Sequence, residues 1–231
     1  MRTRTAFVLA VLLVWQASAY QAPGTHPVTG RKIAGVMGMS GADWLVRPER
    51  EAEEQPEKAL DALNLKPGMV VADIGAGVGY MSLRMARRVG PSGKVYANDL
   101  QPAMLDLLRQ NAAKAGVGNI VTVVGDVADP KLPTNTMDLV LLVDVYHEFS
   151  QPQQMLRKIR ETLKPDGRLV LLEYRAEDPD VPINPAHKMT VAQVKTELEA
   201  EGFVLQPVIE TLPQQHILIL TKAAAKAAGA R

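Results

Sequence analysis

Short apolar runs alternate along the chain with segments of helical periodicity, and this alternation predicts the order of the elements. Apolar runs predict strands over 69–74, 94–99, 120–124, 138–144 and 168–174. Helical patterns follow most of these runs and predict helices over 79–89, 102–115, 153–163 and 190–201. The valine-rich run 69–74 is apolar throughout, as expected for a strand that is covered on both faces. Repeated strand–helix units therefore predict an α/β fold with a parallel sheet and helices on both faces.

The two ends of this pattern differ from its middle. Residues 203–209 and 216–221 predict two late strands that pair as an antiparallel hairpin. Before the first strand, 21–41 is rich in Gly, Pro and Thr and predicts an irregular segment. A helix is expected from about Pro48 to Leu63, with a break at Pro56. Turns are expected at 65–68 and 164–167, and the low-complexity residues 223–231 predict a frayed tail.

The N-terminal residues 1–19 have the order of a secretory signal peptide. Arg2 and Arg4 precede the apolar run 6–15, and Ala17-Ser18-Ala19 resembles a cleavage site. The run is shorter than the approximately 20 residues that a membrane span needs. We therefore expect export to the periplasm, and an uncleaved signal that tethers the protein to the inner membrane is the alternative. Transient membrane association through this segment is a further expectation.

These boundaries divide the chain into four parts. We expect a signal peptide over 1–19, an entry segment with an N-terminal helix that could act as a lid over 20–64, an α/β domain over 65–222, and a flexible tail over 223–231. Trp44, Arg47 and Arg50 are the candidates for closing the lid, although a packed helix with a solvated charged face would have the same composition.

Composition narrows the function classes. The 231 residues include 26 basic and 25 acidic side chains, so the net charge of +1 gives no electrostatic case for nucleic-acid binding. The chain has no cysteine, which excludes disulfides, thiolate metal sites and a cysteine nucleophile.

A glycine-rich stretch lies between the first strand and the first helix of the α/β pattern. Glycines let the backbone turn sharply and approach a ligand, and the following helix presents free N–H groups. The spacing in Gly75-Ala76-Gly77-Val78-Gly79 is G-x-G-x-G, and Tyr80 occupies the third position of the dinucleotide fingerprint G-x-G-x-x-G. A nicotinamide oxidoreductase is therefore disfavoured.

Acidic residues follow several of the strands. Asp99 ends the second strand, 20 residues after Gly79, where a carboxylate can accept both hydroxyls of a ribose. Asp126 follows the third strand and could accept from an adenine amino group, although it could also cap a loop. Asp144 ends the fourth strand and should face the same crevice, because ligands bind at the carboxyl ends of parallel strands.

The successive motifs resemble those of the class I S-adenosylmethionine-dependent methyltransferases. The motifs on which the resemblance rests are VVADIGAGVGY, VYANDLQPAML, VVGDV, DLVLLVDVYHEF and LKPDGRLVLLEY, in this order over about residues 60–221. Within this family, the sequence most resembles the small-molecule group that includes quinone-biosynthesis methyltransferases. It also resembles exported bacterial methyltransferase-domain proteins. The resemblance implies a Rossmann-like, doubly wound sheet of seven strands with the last antiparallel, and S-adenosylmethionine as the cofactor.

Cofactor-binding residues follow from the resemblance by position. Around the methionine part it places Asp73, Gly75, Ala76, Gly77 and Gly79, with Tyr80 next to them. Around the ribose, the adenine and the sulfonium it places Asp99, Leu100, Asp126, Val127, Asp144 and Val145.

Residues after the fourth and fifth strands are the candidates for catalysis and substrate binding. His147 is a candidate general base and Glu148 could orient it, although His147 could also only pack in the loop. Candidate substrate contacts are Tyr146, Glu173, Tyr174, Arg175 and His187. His147, His187 and His216 are too scattered in the sequence to predict a metal site.

The expected function is methyl transfer from S-adenosylmethionine to a small-molecule acceptor. Such a transfer is an in-line displacement that depends mainly on the orientation of the reactants. A non-catalytic cofactor-binding module that acts through a partner is the alternative.

Overall fold

The computed structural model describes residues 24–224. The expected signal peptide 1–19 and the tail residues 225–231 lie outside the described residues, so both stay predictions. The helices are α1 Arg50–Glu54, α2 Pro56–Leu63, α3 Tyr80–Val89, α4 Pro102–Lys114, α5 Pro152–Thr162 and α6 Val191–Glu199. The strands are β1 Val70–Ile74, β2 Lys94–Asp99, β3 Ile120–Val124, β4 Met137–Val143, β5 Leu163–Arg175, β6 Lys188–Met189, β7 Phe203–Leu205 and β8 Gln215–Lys222.

One sheet organises the described residues, with the strand order β3-β2-β1-β4-β5-β8-β7. Neighbours from β3 to β5 pair in parallel, whereas β8 runs antiparallel to both β5 and β7. The predicted fold class is confirmed, including the late antiparallel hairpin. The sequence pattern missed only the two-residue β6, which pairs with β5 outside this order.

Helices cover the sheet on both faces because the central strands are apolar on both faces. In β4, Leu139 and Leu141 pack with α2 and α3. Val140 and Leu142 belong to the core on the other face, together with α5 and α6. The chain leaves β1 toward β2 and β3 and later returns to place β4 on the other side of β1. Such a reversal opens a crevice at the carboxyl ends of the strands.

Two predicted boundaries were wrong. The expected turn 164–167 lies within β5 as a bulge, because Leu163 pairs with Met137 and Arg168 already pairs with Leu139. The expected strand 203–209 ends at Leu205, and Ile209 makes only an isolated bridge with Ile217. Pro207 lies between them and has no N–H to donate to a ladder.

The entry segment returns to the carboxyl edge of the sheet. Ala34 donates its N–H to the carbonyl of His147 at 3.1 Å, and the Gln101 side chain donates to the carbonyl of Met37 at 2.8 Å. The expected helix break is present, since Gln55 adopts a left-handed conformation with φ 48° between α1 and α2. In the part of the chain that the structure describes, no helix has the length and apolarity to cross a membrane.

Candidate functional site

A cavity of about 610 Å³ opens at the carboxyl ends of β1, β2, β4 and β5. Its volume lies in the range of small-molecule sites, and its wall is mostly apolar with a few polar groups. Eleven of the residues singled out from the sequence for the site line this cavity: Gly75, Gly77, Asp99, Leu100, Val127, Asp144, Val145, His147, Glu148, Tyr174 and His187.

The glycine loop, residues 75–79, forms one part of the wall. Gly75 and Gly77 have φ values of 72° and 51°, which glycine adopts without strain. A Cβ atom on Gly75 would lie 2.4 Å from Cγ2 of Val145, and one on Gly77 would lie 2.8 Å from Cδ1 of Leu45. Gly75 therefore has no room for a side chain beside the branched Val145, whereas at Gly77 the end of the Leu45 side chain would have to move.

Asp99 fixes this loop and lines the cavity. Its Oδ2 accepts from the N–H of Gly77 at 2.9 Å, and its Oδ1 accepts from the N–H of Gln101 at 2.9 Å. Burial raises the pKa of Asp99, and the backbone donors partly oppose this effect. Each carboxylate oxygen still has a lone pair that can accept from a ligand hydroxyl.

Asp73 lies behind the glycine loop and does not line the cavity. Its Oδ2 accepts from the hydroxyl of Ser82 at 2.5 Å, which joins the end of β1 to α3. Burial raises the pKa of Asp73 to about 6. The carboxyl group thus braces the loop, and any contact with a ligand would have to be indirect.

Asp144 lines the cavity, and one of its carboxylate oxygens is sealed from solvent. Gln215 donates to Oδ2 at 2.7 Å, whereas the sealed Oδ1 has no hydrogen-bond partner among residues 24–224. Burial raises the pKa of Asp144 well above its usual value, and the charges of Glu54 and Glu173 add to this rise. A cationic ligand group in the cavity beside Asp144 would stabilise the ionised carboxylate.

Three polar side chains, which we call the histidine cluster, form another part of the wall: His147, Glu148 and His187. His147 lies in the short turn Tyr146–Glu148 directly after β4. Its Nδ1 is 2.6 Å from Oε2 of Glu173, and its Nε2 is 3.1 Å from Nδ1 of His187. Oε1 of Glu148 lies 3.8 Å from Nδ1 of His187.

The two histidines have pKa values that are shifted in opposite directions. Burial lowers the pKa of His147, but the adjacent Glu173 carboxylate outweighs burial and raises it overall. Burial and the neighbouring His147 lower the pKa of His187. Burial raises the pKa of Glu148 to about 7. His147 is therefore the histidine of this pair that holds a proton more strongly.

Glu173 was expected to contact substrate, but it lies behind His147 instead. It is fully buried, and it accepts from the N–H of Tyr146 at 3.1 Å as well as bonding to His147. Alternation along β5 explains the difference, since Tyr174 points into the cavity and its neighbour points to the other face of the sheet. Glu173 therefore positions His147.

Several other predicted residues also lie outside the cavity wall. Tyr80 is held between Arg50 and Arg84, and its hydroxyl donates to Glu51 at 2.8 Å. Arg175 bonds to Glu210 and to the carbonyls of Leu212 and Pro213. Neither side chain reaches the cavity, because other polar groups hold both of them.

Four more of the predicted residues lie outside the cavity wall: Tyr146, Asp126, Ala76 and Gly79. The hydroxyl of Tyr146 is buried 3.3 Å from Nε2 of His26. Asp126 is exposed, and its carboxylate accepts from the N–H of Val127. Ala76 and Gly79 pack in the core with Leu108 of α4.

Of the candidate lid residues, Trp44 and Arg50 line the cavity, and Arg47 stacks on Trp44.

Sequence reasoning missed part of the wall. The lining residues that were not singled out from the sequence include Ile33, Met37, Asn98, Gln101, Ile183 and Asn184. Gln101 could have been found, since it follows Asp99 closely. Ile33 and Met37 lie in the irregular entry segment, and only its return to the sheet edge places them here.

Comparisons with known proteins show the family and the fold of this chain. A family model described as "Methyltransferase domain" matches residues 65–221. A ubiquinone/menaquinone biosynthesis C-methyltransferase from Idiomarina loihiensis is 31% identical over 116 residues, which are 50% of this chain and 46% of that protein. Nocamycin O-methyltransferase from Saccharothrix syringae is 29% identical over 140 residues, 61% of this chain and 48% of that protein. The chain thus spans about half the length of these curated relatives.

A solved structure is similar over most of the described fold. The SAM-dependent methyltransferase from Aquifex aeolicus has a TM-score of 0.76 at 28% identity and covers 80% of this chain and 98% of its own. The expected family, fold class and S-adenosylmethionine cofactor are confirmed, and the comparisons agree with a methyltransferase as the enzyme class.

Proposed function

We propose, on the premise that this chain belongs to the methyltransferase-domain family, that it transfers a methyl group from S-adenosylmethionine to a small-molecule acceptor. The observation that carries the proposal is the cavity, whose wall combines the glycine loop, Asp99, Asp144 and the histidine cluster. Its volume of about 610 Å³ suits a small molecule, and the mostly apolar wall suits a lipophilic one.

The residues present fit S-adenosylmethionine. The cofactor carries two ribose hydroxyls, for which Asp99 has free lone pairs. It also carries cationic groups, which would stabilise the ionised carboxylate of Asp144 in the cavity wall. The close-packed backbone at Gly75 and Gly77 leaves the space beside the loop free of side chains. When bound, the cofactor supplies an electrophilic methyl group on a sulfonium sulfur.

The contribution of the protein to this reaction is mainly orientation and the exclusion of water. Well-oriented reactants gain on the order of 7–11 kcal/mol relative to free ones. Trp44 and Leu45 of the entry segment line the cavity and help to separate it from solvent. We assign the contact with the acceptor to His147 and Glu148, with Glu173 holding the His147 ring. The role of His147 as a general base remains a prediction.

We propose that the acceptor is a lipophilic molecule with one polar group, because few polar side chains interrupt the apolar wall. The names of the two curated relatives describe methylation of small molecules at carbon and at oxygen. Both kinds of acceptor fit the proposal. Nothing in the cavity specifically favours the non-catalytic module, and turnover with any acceptor would exclude it.

Isothermal titration tests the cofactor part of the proposal. We expect the purified chain to bind S-adenosylmethionine and its demethylated product, and Asp99→Ala to weaken both. Asp166→Ala is the matched control, since Asp166 is exposed in the β5 bulge and away from the cavity. Folded protein that binds neither compound would contradict the proposal.

We further propose export, which rests on residues 1–19 alone. N-terminal sequencing of the native protein after cell fractionation tests it. A mature chain that begins at Tyr20 in the periplasmic fraction is the expected result, and an intact Met1 in the cytosolic fraction would contradict it.

A further inference from the structure

We propose that the histidine cluster is a binding site for a divalent transition-metal cation such as Zn²⁺, with His147 Nε2, His187 Nδ1 and Glu148 Oε1 as ligands and the remaining coordination positions open to the cavity. The position of the cation depends on the cluster alone, whereas its action on an acceptor rests on the function proposed above.

The spacing of the ligand atoms is suitable for one cation. Ligand atoms of the three residues lie within 4.8 Å of one another. His147 Nε2 and His187 Nδ1 are 3.1 Å apart, and His187 Nδ1 and Glu148 Oε1 are 3.8 Å apart. A tetrahedral zinc ion at about 2.0–2.1 Å from each ligand keeps the ligand atoms about 3.3 Å apart. Small side-chain movements would therefore complete the site.

The surroundings of His147 match those of a metal-binding histidine. Such a ligand generally donates its other ring N–H to a carboxylate, which fixes the tautomer and the ring orientation. Glu173 is fully buried and bonds to Nδ1 of His147 at 2.6 Å, so Nε2 is the nitrogen that faces the cluster. The N–H of Tyr146 holds the other oxygen of Glu173 at 3.1 Å.

The backbone around both histidines is fixed as well. The carbonyl of His147 accepts from Ala34 and from the Arg31 guanidinium, each at 3.1 Å. His187 ends a short turn in which the Asn184 side chain accepts from the N–H of Ala186 at 2.9 Å. The ligand atoms are thus presented by two separately braced turns.

The donor set and the charge balance indicate the class of cation. Imidazole nitrogens suit zinc and neighbouring transition metals, whereas magnesium and calcium prefer sites made of oxygen ligands. With neutral histidines, Glu148 and Glu173 bring two negative charges, and the Arg31 guanidinium is already paired with Glu197. A divalent cation would balance these charges.

An open position facing the cavity would bind an acceptor hydroxyl or enol oxygen and make it more acidic.

The test uses the full chain without a histidine tag, treated with a chelator and dialysed. Titration with ZnCl₂ is expected to show one site per chain with a dissociation constant of about 10 μM or lower. Co²⁺ bound at the same site should give visible absorption bands. His187→Ala and Glu148→Gln should each weaken Zn²⁺ binding by about 100-fold, and Glu173→Gln should weaken it by about tenfold.

A matched histidine serves as the control. His216 lies on β8 with both ring nitrogens bonded to carboxylates, at 2.7 Å from Glu210 and 2.9 Å from Glu177. His216→Gln should leave the affinity for Zn²⁺ unchanged. The absence of saturable binding, or binding that both His187→Ala and Glu148→Gln leave unchanged, would overturn the site and mean that the two histidines only share a proton. Circular dichroism of each variant verifies that it is folded.

Binding of S-adenosylmethionine to the same samples separates this inference from the proposed function. Normal cofactor binding without a zinc site overturns the cation site alone. Zinc binding without cofactor binding contradicts the proposed function and supports the cation site.

Discussion

The glycine loop and the histidine cluster belong to the same cavity, but the chain builds them in different ways. The glycine loop consists of consecutive residues, and its shape is set by backbone conformation and close packing against Val145 and Leu45. The histidine cluster joins the turn after β4 to a turn near residue 187, and the buried end of β5 supports it. Backbone shapes one part of the wall, and side chains from distant segments form the other.

This difference predicts that the two parts fail in different ways. A change in the glycine loop should remove cofactor affinity, because the backbone there has no room to adjust. A change in the histidine cluster should leave cofactor affinity intact and lower turnover. The following substitutions test this separation.

Gly75→Ala should have the largest effect. A Cβ at this position would lie 2.4 Å from Val145, and φ is 72°. Strain and overlap together should cost about 4 kcal/mol in the native loop conformation. The free loop can relieve this cost by leaving that conformation, so restoring it on binding should lower the affinity for S-adenosylmethionine by up to about a thousandfold. Isothermal titration of the variant and of wild type with S-adenosylmethionine measures this loss of affinity.

Two variants verify the reason for this loss. Gly90→Ala has a similar φ of 67° with no atom within 4 Å of the added Cβ, and it should bind the cofactor normally. Gly75→Ala combined with Val145→Ala should recover part of the affinity, because the overlapping methyl groups are gone. An equal loss in Gly90→Ala would show that general destabilisation is responsible.

Asp73→Asn should change the pH dependence of stability. The pKa of Asp73 is about 6 in the folded protein, above its value in an unfolded chain of about 3.9. The buried carboxyl is therefore tolerated best when neutral, and its cost grows as the pH rises from about 4 to 6 and stays constant above that. The variant lacks this cost, so its free energy of unfolding relative to wild type should rise by about 3 kcal/mol over this interval.

Urea unfolding at a series of pH values measures the effect of Asp73→Asn. Asp166→Asn is the control, because Asp166 is exposed. Unfolding free energies of Asp73→Asn and wild type that stay parallel between pH 4 and 7 would contradict a raised pKa for Asp73.

Glu173→Gln should separate the two parts of the wall. The substitution keeps the shape but removes the charged partner of His147, whose Nδ1 lies 2.6 Å from the carboxylate. We expect kcat to fall by about 10- to 100-fold, since one charge-assisted hydrogen bond is worth about 1.5–3 kcal/mol, with cofactor affinity unchanged. Steady-state kinetics with a responsive acceptor and titration with the cofactor measure these quantities. Equal losses in both would show that the two parts are coupled.

Tyr80→Phe should have the smallest effect. Its hydroxyl bonds to Glu51 on the surface and not to the cavity. We expect the affinity for S-adenosylmethionine to stay within about twofold of wild type and the stability to change by less than about 1 kcal/mol. A large loss of affinity would restore Tyr80 to the cofactor site that the motif resemblance implied.

Local patterns in the sequence were sufficient for most of the fold. The strands over 94–99 and 120–124 agree with β2 and β3 at both ends. Apolar runs and turn residues carry this information, since they act over a few positions. One error arose where pairing across the sheet decided the outcome, in the bulge at 164–167. The other, the early end of β7, followed from Pro207, a local signal that the strand prediction overlooked.

The candidate site was predictable to a lesser extent. Asp99 and Asp144 line the cavity as expected, because the ends of parallel strands meet at one edge. Glu173 and Arg175 do not line the cavity, because a strand directs alternate side chains to opposite faces of the sheet. Neighbouring polar groups then determine the hydrogen bonds that each of the two side chains makes. His187 lies far from His147 in the sequence, so no local pattern could predict their separation of 3.1 Å.

The sequence by itself thus determined the order of the elements, the glycine loop and the absence of thiol chemistry, since each depends on residue type and near neighbours. Only the tertiary structure decided that one oxygen of Asp144 is sealed from solvent, that Glu173 supports His147 from behind, and that His187 completes the cluster. The physical reason is that hydrogen bonds and burial depend on contacts between distant segments, which chain folding creates and residue order does not reveal.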